Sequence, residues 1–179
     1  MKNIYKKSSA FFMALALIAM VLVGCSKKDN ASSDNNGGGT PTANYGTIQV
    51  GDQIYTIRIA GYEVGYNSMI QADALTVAFA DATTENANIF GVSFPNCEEM
   101  PTGTFNYSND LSAEGMCYGR LKSSDNNVLY CTSGSITITK NGSNYNVESE
   151  GTANTLFGTA NTAVNFSVNF AGPIHNDTK

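Results

Sequence analysis

Thiols, a single imidazole and paired carboxylates are the side chains of this 179-residue chain whose types and spacing bear on chemistry. His175 is the only histidine and follows Pro173 near the end of the chain. Ser-His-Asp and Cys-His catalysis both need an ordered imidazole base, and a lone tail histidine does not promise one. Zinc catalysis usually recruits several histidines, and no Cys-x-x-Cys pair offers a thiolate site. The carboxylates offer more. Glu98-Glu99, Asp110 with Glu114, and Glu148 with Glu150 are pairs of the kind glycosidases hold about 5–9.5 Å apart across a cleft. Glu148 and Glu150 share one strand face, about 7 Å apart. Tyr145 and Val147 alternate with them, so the plainer account is a solvated polar face. Asp125-Asn126-Asn127 lacks the Gly and distal Glu of a calcium loop and reads as a turn. The inventory singles out no catalytic, metal-binding or cofactor-binding residue, and the paired carboxylates leave a hydrolase as an alternative.

Cys25 stands apart from Cys97, Cys117 and Cys131. Lys2, Lys6 and Lys7 form a basic start, and residues 11–23 are an apolar run. That run is too short for the roughly 30 Å hydrocarbon core, which needs about 20 residues, and fits the h-region of a cleaved signal peptide. It closes on Leu22-Val23-Gly24-Cys25, the lipobox pattern of bacterial lipoproteins. The pattern implies that the Cys25 thiol takes the lipid and that residues 1–24 are removed. Two or more acyl chains give stable anchoring where one is marginal. Residues 26–44 contain no Val, Ile, Leu, Phe, Tyr or Met. They cannot bury enough apolar area to offset ordering entropy, so residues 25–44 read as a lipidated cysteine on a flexible tether.

Residues 45–174 remain as one domain, with residues 175–179 as a C-terminal tail. Four basic side chains (Arg58, Arg120, Lys122, Lys140) stand against twelve carboxylates in this stretch, a net −8. With a whole-chain pI near 4.7 the protein offers phosphates no attractive field, so a nucleic-acid partner is not expected. The scattered acids suit a soluble surface.

Period-two alternation dominates and no helix is apparent. Val164, Phe166, Val168 and Phe170 alternate with Asn165, Ser167 and Asn169. Leu75, Val77 and Phe79, then Tyr55, Ile57 and Ile59, then Ile136 and Ile138 do the same. Asn141-Gly142 predicts a type I′ hairpin in which paired residue numbers sum to 283, setting Ile138 against Tyr145 and Ile136 against Val147. Gly51-Asp52 predicts a second hairpin with Ile48 opposite Tyr55. The fold class is all-β, nine or ten short strands in a single antiparallel β-sandwich or a lipocalin-like barrel.

The element order also bears on the thiols. Were residues 122–126 a hairpin turn with pairs summing to 248, Cys117 would sit opposite Cys131, about 5 Å away and within disulfide reach. The closed loop would contribute roughly 3 kcal/mol in the chain-entropy model. Cys97 with either partner, and three reduced buried thiols, are the alternatives. Tyr62, Tyr66, Tyr107, Tyr118 and Tyr130 are candidate exposed platforms for a ligand, or amphipathic residues at core edges.

Signal, tether and turn motifs together resemble small Bacteroides-type cell-envelope lipoproteins. The stretches that carry the resemblance are Met100-Pro101-Thr102-Gly103-Thr104-Phe105, Ser133-Gly134-Ser135-Ile136, and the closing Phe170-Ala171-Gly172-Pro173. The resemblance implies an outer-membrane, lipid-anchored protein on the periplasmic or the surface side, with a sandwich or barrel domain and no catalytic residues to carry over. The expected function is a non-enzymatic binding module for a glycan, peptide or protein, tied to the membrane by its lipid. The alternatives are a lipocalin-like barrel holding a small apolar ligand, with Ala72, Ala74, Ala78 and Ala80 as inward small residues, and an envelope hydrolase using two carboxylates.

Overall fold

A computed structural model describes residues 43–84, 86–111, 113–155 and 163–177. The expected signal peptide, Cys25 and the tether through residue 42 lie outside the described residues. Those described are all-β, with eleven strands and no helix. In chain order they are β1 (Gly46–Val50), β2 (Gln53–Ile57), β3 (Ile59–Asn67), β4 (Ala72–Ala80), β5 (Ile89–Pro95) and β6 (Gly103–Tyr107). There follow β7 (Met116–Lys122), β8 (Val128–Asn141), β9 (Asn144–Asn154), β10 (Val164–Gly172) and β11 (His175–Asn176).

The strands make one strongly curled sheet in the order β11-β3-β4-β5-β7-β6-β8-β9-β10-β1-β2, with β7 also pairing β8. All pairings are antiparallel except β11 on β3 and β6 on β7. Barrel-like curvature follows from one short stretch of chain. β2 ends one side of the sheet and β3 lies near the other, yet only Arg58 separates them. Ile57 O accepts from Tyr45 N–H at 2.9 Å, and Arg58 N–H donates to Ala80 O at 2.9 Å. A single extended segment thus changes partner from β1 to β4 within one residue. The alternation expected through Tyr55, Ile57 and Ile59 breaks there: Ile57 and Ala60 both point inward, with Ile59 on the other face.

Inside the curl the two-residue period delivers one apolar face. Leu75, Val77 and Phe79 stand in register with Phe94, Val92 and Phe90. Phe166, Val168 and Phe170 join them from β10, and Ile136, Ile138 and Val147 from the β8–β9 hairpin. Phe79 meets Phe170 and Phe90 at centroid distances of 5.0 and 6.0 Å, Phe94 meets Phe105 at 4.9 Å, and Phe166 meets Phe90 and Tyr107 at 5.8 Å. These rings pack against one another within the curl.

The turns set the register. At Gly51-Asp52 the expected hairpin forms, with Ile48 opposite Tyr55. At the second hairpin the loop is Gly142-Ser143 rather than Asn141-Gly142, and Ile138 pairs Val147 instead of Tyr145. Gly142 has φ 62° and Ser143 is not left-handed, the pattern of a type II′ turn. A slip of two preserves which side chains point inward. β8 is bent at Thr132, where Cys131 pairs Ala153 and Ser133 pairs Thr152, leaving one extra residue as a bulge. Below the bulge β8 pairs β7, and above it β6.

Candidate functional site

On the outer face of β8, β9 and β10 the alternation that fills the core leaves a polar surface. Two cross-strand rows stand in register there: Thr137, Glu148 and Asn169 form one, and Ser135, Glu150 and Ser167 the next. These residues line a shallow cleft of about 260 Å³ together with the backbone at Ser149. Both rows continue onto neighbouring strands. Thr104 on β6 pairs Thr137 and shares a 2.9 Å hydroxyl–hydroxyl hydrogen bond with it, while Thr47 and Gln49 on β1 pair Asn169 and Ser167. The one cation on these three strands, Lys140, lies over the Tyr145 ring at 5.6 Å near the hairpin end.

Glu148 and Glu150 are solvent-exposed. Each is flanked by hydroxyl or amide side chains on both sides. A hydrolytic pair needs one carboxyl kept protonated by desolvation or by a close like charge. Glu148 and Glu150 instead lie open to solvent, two residues apart on one strand. What the rows supply instead is a grid of donors and acceptors with two ionised acceptors at its centre, and hydrogen bonds to ionised groups are about twice as strong as neutral ones. The volume falls below the roughly 300–1,000 Å³ of pockets that enclose a whole small molecule. The shape suits a segment of a longer polar chain laid across the strands.

The other sequence candidates are dispersed. Tyr66 is 65% exposed at the tip of the β3–β4 hairpin. Tyr62 is half-buried against the core. Tyr107 corrects the expectation of an exposed ring: β6 points Phe105 and Tyr107 inward, and the Tyr107 hydroxyl meets Ser149 Oγ at 2.6 Å in the interior. Burial pushes its pKa up, with the field of Cys131 adding to it. Tyr118 and Tyr130 do form a pair, their rings 6.0 Å apart, on the outer face of β7 and β8. Tyr118 is buried, and that burial with Tyr130 beside it pushes its hydroxyl up to about 12. The five tyrosines therefore make no common platform.

Cys97, Cys117 and Cys131 are free thiols, so the expected Cys117–Cys131 disulfide is absent. The register explains this. The β7–β8 turn is one residue later than expected: Ser123 N–H donates to Asn127 O at 3.0 Å, Asn126 takes φ 65°, and Arg120 pairs Tyr130. Pairs therefore sum to 250, which brings Gly119 opposite Cys131 and leaves Cys117 diagonal to it. Diagonal positions are about 7–8 Å apart, beyond disulfide geometry. Gly119 is required by the same packing, since a Cβ there would stand 2.6 Å from the Tyr107 ring and 2.8 Å from Cys131 Sγ. Desolvation pushes the Cys117 thiol up to about 12 and Cys131 higher, so both are inert.

Ala72, Ala74, Ala78 and Ala80 also differ from expectation, because Leu75, Val77 and Phe79 take the inward positions and turn these alanines to the outer face. Asp125 is part of the turn, as expected: its carboxylate accepts from Asn127 Nδ2 at 2.7 Å and from Ser123 Oγ. No group of three or more metal-ligating side chains exists among the described residues. No family model, curated protein or solved structure matches the chain.

The hydroxyl and amide rows were not singled out in the sequence. Their signal was present as polar residues at every second position in residues 133–139, 144–152 and 165–169. Each stretch alone reads as ordinary solvation. Only the pairing of the three strands turns them into a surface.

Proposed function

We propose that this protein is a lipid-anchored component of a bacterial cell envelope whose β domain is a non-enzymatic binding module, and that the Glu148–Glu150 cleft takes a segment of a hydroxyl-rich glycan. The observation that carries the reading is the contrast between an interior where aromatic rings pack together and an outer face whose two in-register rows hold only hydroxyl, amide and carboxylate side chains. Sugar hydroxyls both donate and accept, as do the serines, threonines and asparagine here, while the carboxylates accept only. The lipobox ending in Cys25 supports the anchoring, and the polar stretch after it supports a tether that lets the outer face stand clear of the membrane.

The test is a glycan screen with the full chain produced in a bacterial envelope and extracted in mild detergent, followed by calorimetric titration of the hits. Glycan binding that weakens by at least about tenfold in Glu148→Gln plus Glu150→Gln is expected, since each charge-assisted hydrogen bond contributes about 1.5–3 kcal/mol. No glycan binding, or binding indifferent to both changes, overturns the reading.

A further inference from the structure

The end of the described chain is docked rather than free. His175 and Asn176 pair in parallel with Gly61 and Tyr62 at the edge of β3, and Asp177 N–H donates to Tyr62 O at 2.8 Å. That seat places the Asp177 carboxyl directly over Gly61, where a Cβ would collide with Oδ2. Oδ2 is buried there and has no hydrogen-bond partner.

An ionised carboxylate oxygen in that position has lost water and gained nothing in return, which is costly. A second carboxyl is nearby. Glu63 is two residues along β3 from Gly61, on the same face, and its burial first and the neighbouring Asp177 second make it harder to ionise. Desolvation likewise pushes Asp177 above the ordinary carboxylate range. Two positive groups oppose this from other elements. His175, on β11 itself, favours the ionised form of Asp177, and Arg120, reaching over Gly91 from β7, favours that of Glu63. For both acids burial is the larger effect. No strong bond system resists the penalty, since β11 is two residues long.

We propose that residues 175–177 form an acid-latched strap: protonation of the Asp177 and Glu63 carboxyls seats β11 on the β3 edge, and their ionisation lifts it and bares that edge at Gly61 and Tyr62. The sign follows from linkage. A carboxyl harder to ionise when docked than when free favours the docked state as pH falls through its raised value, and the gain is complete below the ordinary carboxylate range. An opened strap leaves an unpaired strand edge, which is a template for pairing with another extended chain.

The experiment is amide hydrogen exchange on the full chain, corrected for intrinsic rates, followed at Asp177 and at the core strands. Protection of the Asp177 amide is expected to rise as the pH falls from roughly 7 to roughly 3, by about tenfold in total for each pKa unit of coupling. Asp177→Asn keeps the shape without the charge and is expected to hold that amide protected at every pH. Glu63→Gln is expected to reduce the slope without abolishing it. Amides of Val77 and Val92 report whether each variant is folded. Protection in the wild type that is flat across pH, or a slope unchanged in Asp177→Asn, overturns the proposal.

Discussion

The two halves of the curled sheet share one core and treat their outer faces in opposite ways. Around the cleft on β8, β9 and β10 the outward positions are Ser, Thr, Asn and Glu, and Glu148, Glu150 and Asn169 lie open to solvent. On β3, β4 and β5 they include Gly61, Ala74, Thr76, Gly91 and Ser93, all of them buried. A bend explains the second half. Asn67 pairs Ala72, which is four residues, or about 13 Å of extended strand, from Thr76. Yet Asn67 Nδ2 donates to Ser93 Oγ at 2.8 Å and lies 3.5 Å from Thr76 Oγ1. The hairpin arm therefore folds back over its own sheet, and small residues beneath it leave the room. One half satisfies its outer polar groups internally, and the other keeps them for whatever lies outside.

The largest effect is expected where the halves do not differ. Phe90 stacks on Phe79 from the same half and meets Phe166 from the other. Phe90→Ala removes contacts on both sides and leaves a cavity between them, at a cost of about 3–5 kcal/mol. Urea unfolding monitored by tyrosine fluorescence is expected to show one transition at lower denaturant, with both halves lost together. Two separated transitions would mean the halves are independent units.

A smaller effect separates the halves. Asn67→Ala leaves the Thr76–Ser93 hydroxyl pair at 2.9 Å but removes the amide that bridges them to the hairpin arm. Stranding buried hydroxyl capacity costs about 1–3 kcal/mol. Thr137→Ala on the open face removes a hydroxyl that is paired with Thr104 yet reachable by water, and is expected to stay within about 0.5 kcal/mol. Equal losses for the two substitutions, measured by the same unfolding experiment, would erase the distinction between a self-satisfied and an open face.

That distinction also marks what sequence reading reaches and what it does not. Alternation identified the inner residues of β4, β8 and β10, because a period of two depends only on the residues themselves. Both glycine turns were visible as turns. The loop and register of the first were as expected, while those of the second were not, since Asn141-Gly142 and Gly142-Ser143 each offer a glycine. The same one-residue ambiguity at 123–127 decided whether Cys117 faced Cys131 or lay diagonal to it. Tyr107 was misplaced because an amphipathic ring reads alike at a rim or against Ser149 inside. Neither the Asn67 fold-back nor the β11 strap has a local pattern, since each joins residues far apart in the chain. For the open face, Glu148 and Glu150 were legible as a polar pair on one strand, while the neighbours that make them a site came from β8 and β10.

The smallest effect on stability tests the open face most directly. Glu148 and Glu150 are like charges on one strand face about 7 Å apart, with no cation in their rows. At that separation in water two charges repel by about 0.6 kcal/mol before salt screening reduces it. Replacing both by Gln removes the repulsion, keeps the shape and leaves amides that still hydrogen-bond. Unfolding is expected to shift by a few tenths of a kcal/mol at most, toward greater stability, and the shift should vanish at high salt. A fold that needed these carboxylates would instead lose stability, and the face would then be structural like that of β3, β4 and β5. Retained stability with lost glycan binding is the combination that an open, ligand-facing surface requires.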